Sequence, residues 1–355
     1  MVHPALHTAF CDLVGVDYPI VQTGMGWVAS AKLTSATSNA GGLGIIASAT
    51  MDFEQLREVL AETRDRTQKP FGVNLRSDAP DVFERADLMM KQGVGVASFA
   101  LAPNEKLLKT LKDAGLVCIP SIGAARHAEK VAAWGADAVI VQGAEAGGHT
   151  GAVATSVLLP QVVDAVDIPV IGAGGFFDGR GLLAALSYGA VGIAMGTRFL
   201  LTRDSPVPDA VKQLYLATPV TGTVVSTQID GMPNRVLRTP FIEKLERTTA
   251  LTSLLRAGQN ALRFRSLLGS SWLDYLREGL AMKRSGGLTW SQMVMAANAP
   301  MLFKASMVDG NVESGVMAGG QVSGLIDELP SCEELIAGIV AQASEILEGF
   351  ESPPG

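Results

Sequence analysis

The chain has 355 residues, of which 48% are hydrophobic and 18% charged, with a formal net charge of −7 at pH 7. A chain this long and this apolar buries a large core, as one domain with an insertion or as two, and is neither disordered nor fibrous. Its acidic balance argues against nucleic acid as a partner.

The amino terminus, MVHPALHTAF, does not show the charged-then-apolar order of a signal peptide, and no uninterrupted apolar run is long enough to span a bilayer. Cys11, Cys118 and Cys332 are few, odd in number and far apart, with no CxxC pair. They read as buried thiols of a cytoplasmic protein, not as a disulfide or zinc framework.

From residue 19 to residue 195 short apolar strands alternate with amphipathic segments. The strand candidates are Ile20–Gln22, Leu43–Ile46, Phe71–Asn74, Gly95–Ser98, Leu116–Ile119, Ala138–Gln142, Pro169–Gly172 and Val191–Met195. Their spacing of about twenty to thirty residues is the length of one βα unit. Between them, Asp52 and Gln55 form a capping-box pattern ahead of Phe53, Leu56, Val59 and Leu60 at helical spacing. Pro103 suits a first helical turn before Leu107, Leu108 and Leu111, and Asp178 can cap Leu182–Leu186. Gly93, Gly115, Gly135 and Gly189 stand where a helix must stop and turn into the next strand. Continuously apolar strands imply a parallel sheet covered on both faces. Eight such units favour an α/β fold of the closed (β/α)8 TIM-barrel type over an open doubly wound sheet.

After Thr202 the rhythm breaks. Helical patterns at Phe241–Arg247, Leu251–Leu268 and Trp272–Met282, without convincing strands, predict a helical insertion after the eighth strand. The expected division is a barrel over 1–201, the insertion over 202–310 as a lid across the barrel mouth, and a return over 311–355. That return holds a glycine-rich loop and a closing helix, Cys332–Leu347. Residues 235–284 hold ten basic side chains, Arg235, Arg238, Lys244, Arg247, Arg256, Arg263, Arg265, Arg277, Lys283 and Arg284, against four acidic ones. A solvated helix surface accounts for such a cluster. A basic lid over the mouth, with Arg263 and Arg265 as substrate contacts, would instead attract an anion such as a coenzyme A thioester or a dinucleotide.

The chemistry gathers at strand ends. GAEAGGHTG (143–151) follows the sixth strand and sets His149 among Gly147, Gly148 and Gly151. Glycines there let backbone approach a flat ligand and leave the imidazole exposed to it. Imidazole titrates near neutrality and can exchange a proton at a cofactor mouth. Neighbouring Glu145 is better suited to fixing the loop or the ring than to acting as a base, and one His with one Glu is too thin a set for a metal. Gly172, Gly174 and Gly175 after the seventh strand, with Gly196 and Thr197 after the eighth, form the paired loops that bind phosphate in such barrels. Asn74 and Gln142 are neutral amides at strand ends, suited to the donor and acceptor edge of a flavin ring. Gly24-Met25-Gly26 can pass backbone along that edge. With Ala29 it also makes a G-x-G-x-x-A pattern, but the second strand ends in Ser48 where a dinucleotide fold needs an acid.

In order, QTGMG (22–26), FGVN (71–74), VQGAEAGGHTG (141–151), GAGG (172–175), MGTRF (195–199) and AGGQVSG (318–324) resemble the nitronate monooxygenase (2-nitropropane dioxygenase-like) flavoproteins. That family also includes FMN-dependent enoyl-acyl-carrier-protein reductases. The resemblance covers the barrel and the last glycine-rich loop, not the insertion. It implies that Gly24, Met25, Asn74, Gln142, Gly174, Gly175, Gly196 and Thr197 contact FMN, that Gln321 closes over it, and that His149 stands where the family keeps its catalytic histidine. Nucleotide barrels of the inosine monophosphate dehydrogenase kind need a nucleophilic cysteine, and none stands between Cys118 and Cys332.

The preferred expectation is an FMN-dependent oxidoreductase moving a hydride between flavin and a carbon next to an electron-withdrawing group, with His149 as acid/base. NAD(P)H is the expected co-substrate, and the basic insertion would hold a bulky anionic substrate such as a CoA thioester. Actinobacterial relatives acting on thioesters of partly degraded steroid rings fit that profile. The alternatives are a nitronate monooxygenase and, from another class, a non-redox sugar-phosphate lyase or isomerase. The oligomeric state stays open, a homodimer included.

Overall fold

A computed structural model describes residues 2–99, 103–247 and 290–351. Among the described residues eleven strands run in chain order: β1 (Ile20–Gln22), β2 (Leu43–Ala47), β3 (Phe71–Leu75), β4 (Val96–Phe99), β5 (Val117–Ile122), β6 (Val139–Gln142), β7 (Gly148–His149), β8 (Val170–Ala173), β9 (Gly192–Met195), β10 (Thr223–Ser226) and β11 (Asn234–Leu237). Eight of them, β1 to β6, β8 and β9, close a parallel barrel, with β9 returning to β1 through Ile193 opposite Ile20. The (β/α)8 expectation holds, and each of the eight expected strands is present with its ends within one residue, except that β5 runs three residues further, to Ile122.

Alternation along the strands builds two cores. Val21, Ile45, Ile119, Ile140, Ile171 and Ala194 point inward, and Phe10 and Val14 of the helix Ala9–Val14 join the same inner cluster at the strand starts. Ile20, Ile46, Val73, Val139 and Ile193 point outward to the surrounding helices. The capping box forms in full: Gln55 N–H donates to Asp52 (2.8 Å) and Asp52 N–H to Gln55 (2.9 Å). The Asp178 carboxylate takes the Gly181 N–H at the start of the helix Gly179–Ser187. Gly93, Gly115, Gly135 and Gly189 all have positive φ, as their stop positions require. The helix after Pro103 begins two residues on, at Glu105, capped by Asn104. The closing helix runs Cys332–Glu351 and packs across the helices Ala31–Asn39 and Gly179–Ser187. All three cysteines are free and buried. Among the described residues no helix is long and apolar enough to cross a membrane.

The insertion differs from its expected all-helical character. β10 and β11 pair antiparallel, and β11 pairs with β7, giving a three-stranded sheet outside the barrel. These strands escape sequence reading because each spans four residues and keeps a mixed burial pattern, and because their third member has only two residues. The helices Asp209–Leu216, Pro240–Glu246 and Trp290–Met307 flank them. The helical patterns at Leu251–Leu268 and Trp272–Met282, with Arg256, Arg263, Arg265, Arg277, Lys283 and Arg284, lie outside the described residues.

Candidate active site

The loops leaving the carboxyl ends of the barrel strands meet at one rim, where active sites of this architecture are built. From β1, Gly24 packs so tightly on β3 that a Cβ there would fall 2.5 Å from Asn74 Cβ. Met25 lies against the β9 loop, its sulfur 3.4 Å from the position of a Cβ on Gly196. Gly26 sits further out, with a Cβ position 3.0 Å from Thr50, so its bareness makes room for that side chain on the outer lip. Asn74 is buried and its Nδ2 donates to Ser98 Oγ at 3.1 Å. The Gln142 amide donates to the carbonyl of His149 and so braces the histidine loop from below.

That loop is held at several points. The Glu145 carboxylate accepts from Thr155 N (2.9 Å) and Thr155 Oγ1 (2.8 Å), so Glu145 fixes the loop, as its position suggested. Gly148 turns the chain with φ +74, and a Cβ there would meet nothing within 4 Å. Next to it, the imidazole of His149 is 56% exposed at the rim. His3, His7 and His127 lie elsewhere, at the amino-terminal turn and on the helix Ala125–Ala133.

Sequence reasoning missed the partner of this imidazole. Asp230, in the turn between β10 and β11, places Oδ2 2.5 Å from His149 Nε2, and its side chain is only 10% exposed. Burial alone raises the Asp230 carboxyl. The hydrogen bond and charge of His149, the Met232 N–H and the Asn234 amide outweigh it, so the net displacement is below the ordinary aspartate value. A lone acid in a glycine- and proline-rich turn, 81 residues from its partner, gives no sequence signal beyond that of a turn residue.

Arg235 belongs to the same apparatus. Its Nε and Nη2 donate to Ala144 O (3.0 and 2.9 Å) and its Nη1 to Thr223 Oγ1 (3.0 Å). This member of the basic cluster therefore ties the hairpin to the histidine loop and does not face an anion in solvent, which corrects the reading of the whole cluster as one lid surface.

Beside the histidine loop, as β8 and then β9 follow β6 around the barrel, stand the two phosphate-type loops. Gly174 and Gly175 both take positive φ, +99 and +83, and a Cβ on Gly175 would meet nothing nearer than 3.8 Å, which leaves open room there. Gly172 also serves packing: a Cβ on it would strike Leu159 and Phe176 at 2.9 Å, so its bareness lets the helix layer close. Thr197 is buried and accepts from Gly320 N at 2.9 Å, while Gln321 N donates to Glu145 O at 3.0 Å. The 318–324 loop thus closes over both the β9 loop and the histidine loop. A groove of about 350 Å³ opens beside Gly174 and Gly175, lined by Glu145, Ser156, Phe177 and Arg180 among others.

Arg198, which follows Thr197, is a second residue the sequence reading passed over. Its guanidinium is buried, Nε and Nη2 have no hydrogen-bond partner among the described residues, and Glu328 Oε1 is 3.9 Å away. Burial lowers its pKa against the raising effect of Glu328 and Asp327. Among the described residues no cluster of three or more His, Cys, Asp or Glu side chains could hold a metal.

Bare glycine edges, two neutral amides, an open phosphate-type loop and a rim imidazole on a buried carboxylate fit a planar, phosphate-bearing cofactor. Fold and site together are those of a (β/α)8 enzyme whose chemistry sits at the carboxyl ends of its strands. The chain belongs to the nitronate monooxygenase family, whose model matches residues 7–342, and it is an oxidoreductase. It is 60% identical to a Mycobacterium tuberculosis protein named (3aS,4S,5R,7aS)-5-hydroxy-7a-methyl-1-oxo-octahydro-1H-indene-4-carboxyl-CoA dehydrogenase, over 95% of this chain and 96% of that one. A Rhodococcus jostii protein of the same name is 59% identical over 97% and 98% of the two chains. Among solved structures, FabK from Thermotoga maritima superposes with a TM-score of 0.79 at 34% identity, covering 97% of this chain and 98% of that one.

Proposed function

We propose that the chain is an FMN-dependent oxidoreductase acting on a CoA thioester of a bulky bicyclic carboxylic acid, with NAD(P)H as the other redox partner. The observation that carries this reading is the end-to-end match, near 60% identity, to two actinobacterial proteins named for a dehydrogenase of such a thioester. The sugar-phosphate lyase or isomerase alternative falls with membership of an oxidoreductase family.

In this reading Gly24, Met25, Asn74, Gln142, Gly147, Gly148, Gly174, Gly175, Gly196 and Thr197 hold FMN, and Gln321 closes the site. FMN, when bound, supplies a hydride acceptor or donor. The chain's own part is to bind, orient and move a proton. The rim imidazole of His149 exchanges a proton with the substrate carbon next to the thioester carbonyl, whose electron withdrawal makes that proton removable. Backbone N–H groups at the strand ends steady the negative charge that develops. The basic residues of the insertion, Arg263 and Arg265 with them, attract the anionic CoA portion. A cytoplasmic setting suits this substrate.

Purified protein tests the cofactor first. A yellow preparation with absorbance near ~450 nm, from which FMN is released on unfolding, is the expected result. Protein that stays colourless after incubation with FMN overturns the flavin reading. His149→Ala is expected to retain FMN and lose most turnover, and undiminished turnover would reduce His149 to a ligand anchor.

A further inference from the structure

His149 and Asp230 come from distant parts of the chain, yet the structure builds them as one unit. β7 and β11 pair with His149 opposite Asn234 and Gly148 opposite Arg235. Thr150 N donates to Pro233 O at 3.1 Å, and the Arg235 fork clamps Ala144 O, so the histidine loop and the Asp230 turn are joined on both sides of the imidazole. Within the turn, Met232 N donates to Asp230 Oδ1 at 3.0 Å, which leaves Oδ2 for His149 Nε2.

An ionised carboxylate can only accept hydrogen bonds. His149 must therefore carry a proton on Nε2, and in the neutral ring the lone pair is on Nδ1, which has no hydrogen-bond partner among the described residues. The burial contrast matters as well: Asp230 is 10% exposed, His149 56%. By comparison, His7 and Asp12 stand 2.9 Å apart on the surface with side chains 57% and 76% exposed, where water screens the pair.

We propose that Asp230 is a positioning residue that locks His149 in the Nε2–H tautomer, so that Nδ1 is the nitrogen that receives the substrate proton. The inference rests on the reading of His149 as the acid/base of the reaction. When Nδ1 takes a proton, the broken C–H bond leaves its electron pair on the substrate carbon, and the ring becomes an imidazolium. Its Nε2–H then still faces the Asp230 carboxylate. The pair thus favours proton abstraction, the direction a dehydrogenase needs. The other charged groups on the elements packed against His149 are engaged elsewhere, Glu145 on Thr155 and Arg235 on Ala144 and Thr223.

The test is nitrogen NMR of the full-length protein labelled in its four histidines, with His149 assigned by its loss in His149→Gln. In its neutral form the wild-type His149 ring should show a protonated Nε2 and a bare Nδ1. In Asp230→Asn the carboxamide can donate to Nε2, so the proton should move to Nδ1 in a substantial share of molecules. The same variant should lose kcat by on the order of 10²–10⁴-fold with KM little changed. A neutral wild-type ring protonated mainly on Nδ1 overturns the proposal, whether or not the variant folds. So does an Asp230→Asn protein with the wild-type tautomer and wild-type kcat. Failure of the flavin reading would show separately, as protein that binds no FMN while its His149 signals still report the pair.

Discussion

Gly147 and Gly320 lie so close that a Cβ on Gly147 would fall 2.6 Å from the amide nitrogen of Gly320. Through this contact the last glycine-rich loop, the histidine loop and the β9 loop share one junction, because the same Gly320 N–H donates to Thr197 Oγ1. Gly147→Ala must push the 318–324 loop outward, since the atoms it meets are backbone and cannot swing aside. The expected result is a loss of about 1–3 kcal/mol in stability and a weaker hold on FMN, by about tenfold. Thermal melts and flavin-fluorescence titration measure both, and unchanged values would show that the loop yields without disturbing the site.

Arg235 and the basic residues beyond it separate by salt. Arg235→Lys removes the fork that grips Ala144 O and should cost about 1–3 kcal/mol. Because that interaction is internal, kcat should fall while the salt dependence of KM for an acyl-CoA stays that of wild type. Arg263→Ala and Arg265→Ala should do the reverse, raising KM more at low salt than at high salt and leaving kcat nearly intact. Steady-state kinetics at two ionic strengths distinguishes the two, and KM values equal to wild type at both ionic strengths in both alanine variants would remove the lid role.

The buried thiols set an alkaline limit on stability. Burial, with the charge of Asp137, pushes Cys118 from 9.0 up to about 12, and burial does the same to Cys332. In the unfolded chain both ionise near pH 9, whereas in the fold they stay protonated, so the folded state binds more protons across this window. The stability they contribute is complete below pH 9 and declines as pH rises toward 12, by about 1.4 kcal/mol per pH unit for each thiol. Melting temperature should therefore fall through that range, and Cys118→Ala should flatten the fall even though it lowers the starting value. Equal slopes in wild type and variant would contradict this.

The barrel was readable because its strands are continuously apolar and its helices carry explicit start and stop residues, Asp52 with Gln55, Asp178, Gly93 and Gly189 among them. His149 was readable as a lone imidazole among glycines at a strand end. What was not readable depends on tertiary pairing. β10 and β11 are short and half-polar, and they become strands by adding to the two residues of β7. Asp230 gains its meaning only when that pairing brings it to His149. Arg235 counted as one charge in a basic stretch, yet its guanidinium turns inward to a carbonyl. Gly172 shared a motif with Gly174 and Gly175, but the direction of its missing side chain, toward Leu159 and Phe176, is a property of packing.

The most direct measurement is an anaerobic one on the FMN-loaded protein, following the band near ~450 nm. Adding the CoA thioester of a hydroxylated bicyclic acid should bleach it, and adding NAD(P)⁺ should restore it with formation of NAD(P)H. A band indifferent to the thioester, in protein that instead consumes oxygen rapidly with an alkyl nitronate and ignores the nicotinamide, would contradict the proposal.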